Sequence, residues 1–327
     1  SLITQSRAGF LVDTDPASVL RINEVSAQGW VELYNPTLEF VPIGGYRISS
    51  EGQANAFPSG TAVPPLGFQV LQVAPSLADG RVVLDRAIGH AWGNGPDDPV
   101  DAAKTPVDPQ TPFCVYSAAK AITTTVAHML IERGAFGLDD RVCEYLPTYT
   151  SHGKDRTTIR HVMTHSAGVP FATGPRPDLK RMDDSEYARD MLGRMKPVYP
   201  PGLVHMYHGV TWGPLMREII SAATGRNIRD ILHDEILAPL GFRWTNYGVA
   251  PQDVPLVAPS HVTGTPLPAP IAKAFKAAVG GTPQQIIPFS NTPQFLTGVI
   301  PSSNTVSNAH ELSRFAEILC RGGELDG

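Results

Sequence analysis

The segment that decides the fold reads Phe113-Cys114-Val115-Tyr116-Ser117-Ala118-Ala119-Lys120, a short apolar stretch that leads into a serine and a lysine. Serine suits a helix start, and apolar residues follow at helical spacing as far as a glycine that suits a helix end (Ile122, Val126, Met129, Leu130 and Gly134). Residues three apart on a helix share a face, with Cβ atoms about 5–6 Å apart. We therefore predict a helix that Ser117 opens and residues 121–133 continue, with Lys120 beside the serine hydroxyl.

A lysine beside a serine indicates nucleophilic catalysis, because a serine hydroxyl needs a base at neutral pH. The pKa of lysine in water is about 10.4, and burial lowers it by up to about 3–5 units. The apolar side chains of Phe113, Val115 and Tyr116 are expected to supply that burial. A helix start also directs backbone N–H groups and the positive end of the helix dipole towards negative charge formed at Ser117.

A second Ser-x-x-Lys string, Ser151-His152-Gly153-Lys154, shows that the pattern alone is not specific. It lies in a polar, turn-like stretch, residues 148–156, that has no apolar periodicity. Polar connecting segments usually run over the surface of a protein. We predict that this copy is a surface loop.

A distant tyrosine completes the candidate site. Residues 201–213 contain the pattern Tyr-His-x-x-Thr-x-Gly, formed by Tyr207, His208, Thr211 and Gly213. A phenol can donate or accept a proton during catalysis. Ser117 with a lysine and a tyrosine is the equipment of a serine acyl-transfer enzyme that uses these residues in place of histidine and aspartate.

Residues 80–327 resemble the serine beta-lactamase and penicillin-binding-protein-like family, which includes many esterases. The resemblance implies an α/β (α+β) fold, in which a mainly antiparallel sheet flanked by helices joins an all-helical subdomain. Besides Thr111-Pro112-Phe113 through Lys120, the matching segments include Asp79-Gly80-Arg81-Val82-Val83-Leu84, Leu138-Asp139-Asp140-Arg141-Val142, Thr158-Ile159-Arg160-His161-Val162-Met163-Thr164-His165-Ser166-Ala167-Gly168-Val169-Pro170 and Leu237-Ala238-Pro239-Leu240-Gly241.

The resemblance implies roles for the candidate residues. Ser117 would be the acylated nucleophile and Lys120 its base or proton relay. Tyr207 would activate the serine or protonate the leaving group. Members of the family often have Tyr-x-Asn where this chain has Tyr207-His208-Gly209. This difference favours an esterase-like branch of the family and makes efficient beta-lactam hydrolysis less expected. We expect His208 and Thr211 to bind substrate, with a structural role as the alternative for His208.

The family's third motif, Lys-Thr-Gly or His-x-Gly on a late strand, would come after Gly327. We therefore expect the sequence to be a fragment that is incomplete at its C-terminus. The missing strand supplies an oxyanion-hole N–H in relatives, and losing one such donor costs about a hundred- to a thousandfold in rate.

Residues 1–78 are predicted to form a separate all-β sandwich-like module, ahead of a hydrolase domain at residues 79–327. Short apolar runs at residues 20–25, 30–34 and 67–71 alternate with turn signals. Residues 19–73 resemble the lamin-tail domain in segments such as Trp30-Val31-Glu32-Leu33-Tyr34-Asn35-Pro36. Such modules usually bind or position other molecules, which makes this one the expected place for a protein partner. Its three arginines and six carboxylates argue against nucleic acid as that partner.

Composition sets the remaining bounds. With 327 residues, 42% hydrophobic and 17% charged, the chain is long enough for about two domains. No apolar run approaches the roughly eighteen residues that a membrane span needs. Three widely spaced cysteines (Cys114, Cys143 and Cys320) indicate neither a disulfide framework nor a metal site. His161 and His165 have helical spacing but no third ligand, so we expect no metal and no cofactor, and the sequence leaves the compartment undecided.

The segment 251–303 is rich in proline, threonine and serine, with a short helix predicted at residues 272–278. We interpret it as a wall of an acyl pocket that includes Phe289 and Phe295, with an exposed insertion as the equal alternative. The predicted function is hydrolysis of a small ester or amide, most simply by a carboxylesterase. The alternatives are a beta-lactamase or D-amino-acid peptidase, and a catalytically silent binding or scaffold protein.

Overall fold

The computed structural model of the protein describes residues 21–26, 30–35, 37–43, 47–50, 53–56, 59–65, 68–72, 87, 89–171 and 177–323. The chain divides into two units, Ser1–Asp85 and Arg86–Gly327. The predicted boundary at 78/79 and the Asp79-Gly80 segment lie outside the described residues, so the boundary stays a prediction.

The N-terminal unit contains short antiparallel strand pairs. Its strands are β1 (Arg21–Ser26), β2 (Trp30–Tyr34), β3 (Val41–Pro42), β4 (Arg47–Ser50), β5 (Gln53–Ala56), β6 (Ala62–Val63) and β7 (Phe68–Gln72). They pair in the order β1-β2-β7, with β3 beside β6 and β4 beside β5. The three strands predicted from apolar runs all occur, and β7 pairs with β2 inside this unit. A sandwich requires two sheets packed face to face, so the sandwich and the lamin-tail resemblance stay predictions.

The second unit is mainly helical around a small sheet, in agreement with the predicted α/β class. Its strands are β8 (His90–Trp92), β9 (Thr105–Pro106), β10 (Phe113–Cys114), β11 (Asn246–Tyr247) and β12 (Thr305–Ser307), and β10-β12-β11 form an antiparallel sheet. Its helices are α1 (Ala119–Glu132), α2 (Val142–Tyr145), α3 (Ile159–Met163), α4 (Ser185–Arg194), α5 (Trp212–Thr224), α6 (Ile228–Leu232, extended by a π-helical turn at His233–Leu237), α7 (Ala269–Val279), α8 (Pro283–Ser290), α9 (Pro293–Thr297) and α10 (Ala309–Cys320).

Two helices of the hydrophobic core position the candidate site. Helix α1 buries Ile122, Val126 and Leu130 along one face, as its sequence periodicity predicts. Helix α5 is buried at every position from Trp212 to Ile220, which marks it as a central helix. Because α1 follows the candidate nucleophile and α5 follows the Tyr207 segment, packing of both helices into one core fixes these segments relative to each other.

Helix α1 ends where the sequence predicts. Gly134 has φ +74°, its N–H donates to the Ile131 carbonyl, and the N–H of Ala135 donates to the Leu130 carbonyl. This pair of bonds is the Schellman motif, which needs a residue in the left-handed region and therefore favours glycine. In the part of the chain that the structure describes, no helix has the length and apolar composition needed to cross a membrane.

The second Ser-x-x-Lys string lies in a kinked 3₁₀ segment, Ser151–Arg156, whose residues His152, Asp155 and Arg156 are exposed as predicted, but its lysine is not. The Lys154 side chain is fully buried, and its ammonium donates to the carbonyls of Leu192 (2.8 Å), Gly193 (2.7 Å) and Met195 (2.5 Å). These carbonyls lie at the C-terminal end of α4, where a helix leaves acceptors without intrahelical donors. The polar sequence around Lys154 could not show that a distant helix end would supply three acceptors.

Candidate active site

Ser117 lies in an exposed 3₁₀ turn, Tyr116–Ala118, between β10 and α1. The turn is held on both sides: the Val115 N–H donates to the Thr305 carbonyl at 2.9 Å, and the hydroxyls of Tyr116 and Ser290 share a hydrogen bond of 2.7 Å. Tyr116 has φ +46°, a conformation that few residues other than glycine adopt. This strained turn places Ser117 two residues before α1 begins. The sequence had predicted instead that Ser117 is the first residue of the helix.

The structure brings the three predicted catalytic side chains together. The hydroxyls of Ser117 and Tyr207 share a hydrogen bond of 2.6 Å. The Lys120 Nζ lies 3.3 Å from Ser117 Oγ and 4.9 Å from the centre of the Tyr207 ring. A serine, an amine and a phenol are thus within proton-transfer reach of one another.

The Lys120 amine is buried, but by other groups than those expected. Phe113 is 40% exposed, whereas Lys120 is 9% exposed and lies beneath Tyr207 and 5.8 Å from the centre of the Trp212 ring. Burial lowers the pKa of Lys120 below its ordinary value, against the opposing effect of a hydrogen bond with Tyr207. Its Nζ also donates to the Ser302 carbonyl at 2.9 Å. Burial therefore favours the uncharged amine that a proton acceptor must be.

Thr211 and His208, which were expected to bind substrate, are both buried and make their hydrogen bonds within the protein. Thr211 is fully buried and donates to the Val169 carbonyl at 2.7 Å. His208 is 1% exposed; its Nε2 accepts from the Val169 N–H at 3.0 Å and its Nδ1 bonds the Met206 carbonyl. For His208 the structural alternative therefore fits. Both side chains fasten the Tyr207 segment to residue 169.

The last glycine of the Tyr-His-x-x-Thr-x-Gly pattern has a steric reason. A Cβ at Gly213 would lie 2.3 Å from the Ser302 Oγ. Any side chain there would push away the turn whose carbonyl accepts from Lys120. The sequence did not indicate a role for Ser302, because nothing near it in the chain resembles a site. The signal available was Gly213, whose lack of a side chain indicates a close contact with another segment.

His165 is a further residue that sequence reasoning did not place at the site. Its ring lies 5.1 Å from the Tyr207 ring, and its Nδ1 accepts from the His208 N–H at 3.1 Å. Burial lowers the pKa of His165 to about 4, with His208 and Lys120 contributing further. The neutral imidazole thus supports the Tyr207 segment. Its partner in the metal-like spacing, His161, accepts from the Thr158 N–H at 3.2 Å and caps α3.

We expect the protein to lose stability in mild acid through His208. Burial lowers its pKa to about 4 in the folded state, from an ordinary value of 6.5. The unfolded chain therefore binds a proton that the folded chain does not, so the stabilisation present above pH 6.5 is lost as the pH falls towards about 4, by about 3 kcal/mol at most. Urea unfolding at pH 7.5 and 5.0 measures this loss, and His208→Gln should reduce the difference; an unchanged difference would contradict the assignment.

A cavity of about 300 Å³ opens beside Ser117, and Phe289 and Phe295 form part of its wall, with ring centres 5.5 Å apart. The predicted helix in this segment is α7. Burial raises the pKa of the Cys114 thiol to about 11, which favours the protonated form of this neighbour of Ser117. Within the described ranges, no group of three or more His, Cys, Asp or Glu side chains is arranged to hold a metal ion.

The chain is similar to several known proteins. The Mycobacterium tuberculosis protein "Esterase/beta-lactamase LipL" is 28% identical over 262 residues, which are 76% of this chain and 58% of LipL. A penicillin-binding protein homologue from Caulobacter crescentus shares 27% identity with a TM-score of 0.59, over 68% of this chain and 59% of that one. A family VIII carboxylesterase structure, at 23% identity and a TM-score of 0.52, covers 61% of this chain and 52% of its own and shows the fold alone.

The chain spans less than two thirds of the length of these relatives. The family model described as Beta-lactamase matches residues 76–327, which is more than three quarters of the chain. The chain belongs to the beta-lactamase family, a family of serine hydrolases that includes esterases.

Proposed function

We propose that the protein hydrolyses carboxylic esters through an acyl-enzyme on Ser117. The observation that carries this proposal is the cluster in which Ser117 Oγ lies 2.6 Å from the Tyr207 hydroxyl and 3.3 Å from the Lys120 amine. The nucleophile is exposed and its base is buried, which is the distribution that acyl transfer requires.

The reaction follows from these positions. Ser117 Oγ bonds to the ester carbonyl carbon while its proton passes to the uncharged amine of Lys120. The bond to the leaving oxygen then breaks, and that oxygen takes a proton from the Tyr207 hydroxyl, which Lys120 replenishes. Water attacks the acyl-enzyme, its proton returns through the same pair, and the acid leaves as Ser117 regains its hydrogen.

An ester substrate is supported over a beta-lactam or a D-amino-acid peptide by residue 209. A Cβ at Gly209 would lie 2.3 Å from the Ala278 carbonyl, so the asparagine of the Tyr-x-Asn pattern does not fit here. The name Esterase/beta-lactamase LipL is compatible with hydrolysis of either substrate, so the choice rests on residue 209. We expect kcat/KM for p-nitrophenyl butyrate to exceed that for a chromogenic cephalosporin or a D-Ala-D-Ala peptide at least a hundredfold; the reverse order would contradict the proposal.

Lys120→Met should lower kcat/KM for an ester by about 10²- to 10⁴-fold, the usual contribution of a positioned base. Methionine keeps the apolar contacts but leaves the Ser302 carbonyl without its donor, so the thermal midpoint should fall slightly while the variant stays folded. In the wild type, the rate should be lost as the pH falls through the lowered pKa of Lys120, because protonation removes the base. Exposed Lys180→Met is the matched control and should behave as wild type. Full activity of Lys120→Met would exclude the proposed base.

For residues 1–78 we propose a lamin-tail-like module that binds or positions another molecule, with the hydrolase domain beginning near residue 79. The antiparallel strands β1, β2 and β7 are compatible with an all-β module, and the start of the family match at residue 76 supports only the boundary. Limited proteolysis tests the boundary: cleavage near residue 79 should release a C-terminal fragment that keeps its esterase activity.

A further inference from the structure

We propose that the cavity beside Ser117 holds a linear aliphatic acyl chain of about six to eight carbons, which makes the substrates medium-chain esters. This inference rests on the proposed ester hydrolysis. It adds the chemical class of the acyl group and the direction in which the ester lies.

The lining of the cavity excludes a charged acyl group. Among the described residues that line it, none is a lysine, arginine, histidine or carboxylate. Apolar side chains make most of the wall, including Leu179, Val210, Val279, Ile286, Phe289 and Phe295. Burying a charge in such a wall without a partner is costly, whereas each methylene placed there is favourable.

The orientation follows from the position of the proton donor. Tyr207 and Lys120 are absent from the cavity lining, whereas Ser117 contributes to it. Tyr207 is 41% exposed and bonds Ser117 from outside the cavity. The leaving oxygen must face Tyr207 to receive its proton, so the alcohol group points towards solvent. The acyl chain therefore lies in the cavity.

The volume sets the length. The cavity measures about 300 Å³. A water molecule occupies about 30 Å³ in the liquid, so such a space has room for on the order of ten groups of methylene size when completely filled. Six to eight carbons allow for imperfect packing.

Helix α8 supplies a residue that limits this length. The hydrogen bond between Tyr116 and Ser290 ties the C-terminal end of α8 to the nucleophile turn. Ile286 lies four residues earlier, about 6 Å further along the helix axis, and lines the same cavity. A larger side chain at Ile286 should therefore shorten the space without touching Ser117.

The first test compares the isomers ethyl hexanoate and hexyl acetate, which are equally apolar and differ only in which side carries the chain. We expect kcat/KM to favour ethyl hexanoate at least tenfold. With p-nitrophenyl esters, kcat/KM should rise about two- to fourfold per methylene from acetyl to hexanoyl or octanoyl and fall at dodecanoyl. Preference for hexyl acetate, or a maximum at acetyl, would overturn the inference and leave ester hydrolysis standing.

The second test is Ile286→Trp. The chain-length maximum should move to acetyl or butyryl, and the ratio of kcat/KM for the octanoyl ester to that for the acetyl ester should fall at least tenfold, while a cooperative thermal transition shows that the variant folds. Ile271→Trp is the control, because Ile271 is 55% exposed and does not line the cavity. An unchanged profile in a folded Ile286→Trp would overturn the inference. Failure of the wild type on every ester would overturn the proposed hydrolysis itself.

Discussion

Replacing Ser117 by alanine should lower kcat/KM for an ester by about four to six orders of magnitude, because the acyl-enzyme can no longer form. The side chain is exposed and its loss leaves Lys120 bonded to Ser302, so the fold should be unaffected. Hydrolysis of p-nitrophenyl butyrate measures the rate. A fluorophosphonate probe should add its mass to wild-type protein at Ser117 and not to the variant.

The second Ser-x-x-Lys string provides the matched control. Ser151→Ala removes a hydroxyl that donates to the Gly193 carbonyl at 2.7 Å, and it should change kcat/KM less than twofold. Probe mass mapped to Ser151, or an active Ser117→Ala variant, would place the chemistry elsewhere.

Lys154→Met should lower the free energy of unfolding by about 2–4 kcal/mol. The ammonium donates to three carbonyls at the end of α4, and a buried acceptor left without a donor costs about 1–3 kcal/mol. Relief of the desolvation of the buried charge offsets part of that cost. Urea denaturation at pH 7.5 measures the change, and kcat/KM per folded molecule should stay at the wild-type value.

Lys180→Met serves as the surface control and should change the free energy of unfolding by less than about 0.5 kcal/mol. A stable Lys154→Met variant would show that the three carbonyls find other partners. A stable but inactive one would show that Lys154 acts in the chemistry. Together with Lys120→Met, these variants separate one lysine that serves catalysis from one that serves the fold.

Local sequence predicted the elements that depend on neighbouring residues. The helix after Ser117 and its end at Gly134, the helix in the 251–303 segment and the strand at Trp30–Tyr34 all occur close to their predicted positions. Each depends on side-chain periodicity or on a backbone conformation that a few neighbouring residues determine. The same local reasoning failed for Lys154, whose partners are about forty residues away.

The sequence could not predict the role of a side chain whose hydrogen-bond partner lies far away in the chain. His208 and Thr211 follow Tyr207 closely and look like site residues, yet both turn inward to Val169. Ser302 supplies a carbonyl to Lys120 from 182 residues away. Whether a polar side chain is buried depends on which hydrogen-bond acceptors the fold brings close to it. The order of residues along the chain does not show which acceptors these are.

The sequence by itself indicated the family, through matching segments over residues 80–327, and predicted a candidate nucleophile with a lysine one helical turn further on, through short-range spacing. Only the tertiary structure decided that Lys154 caps the C-terminal end of α4, and how the Tyr207 segment meets Ser117. The physical reason is that α1 and α5 are buried in one core, so packing between segments far apart in the chain sets those distances.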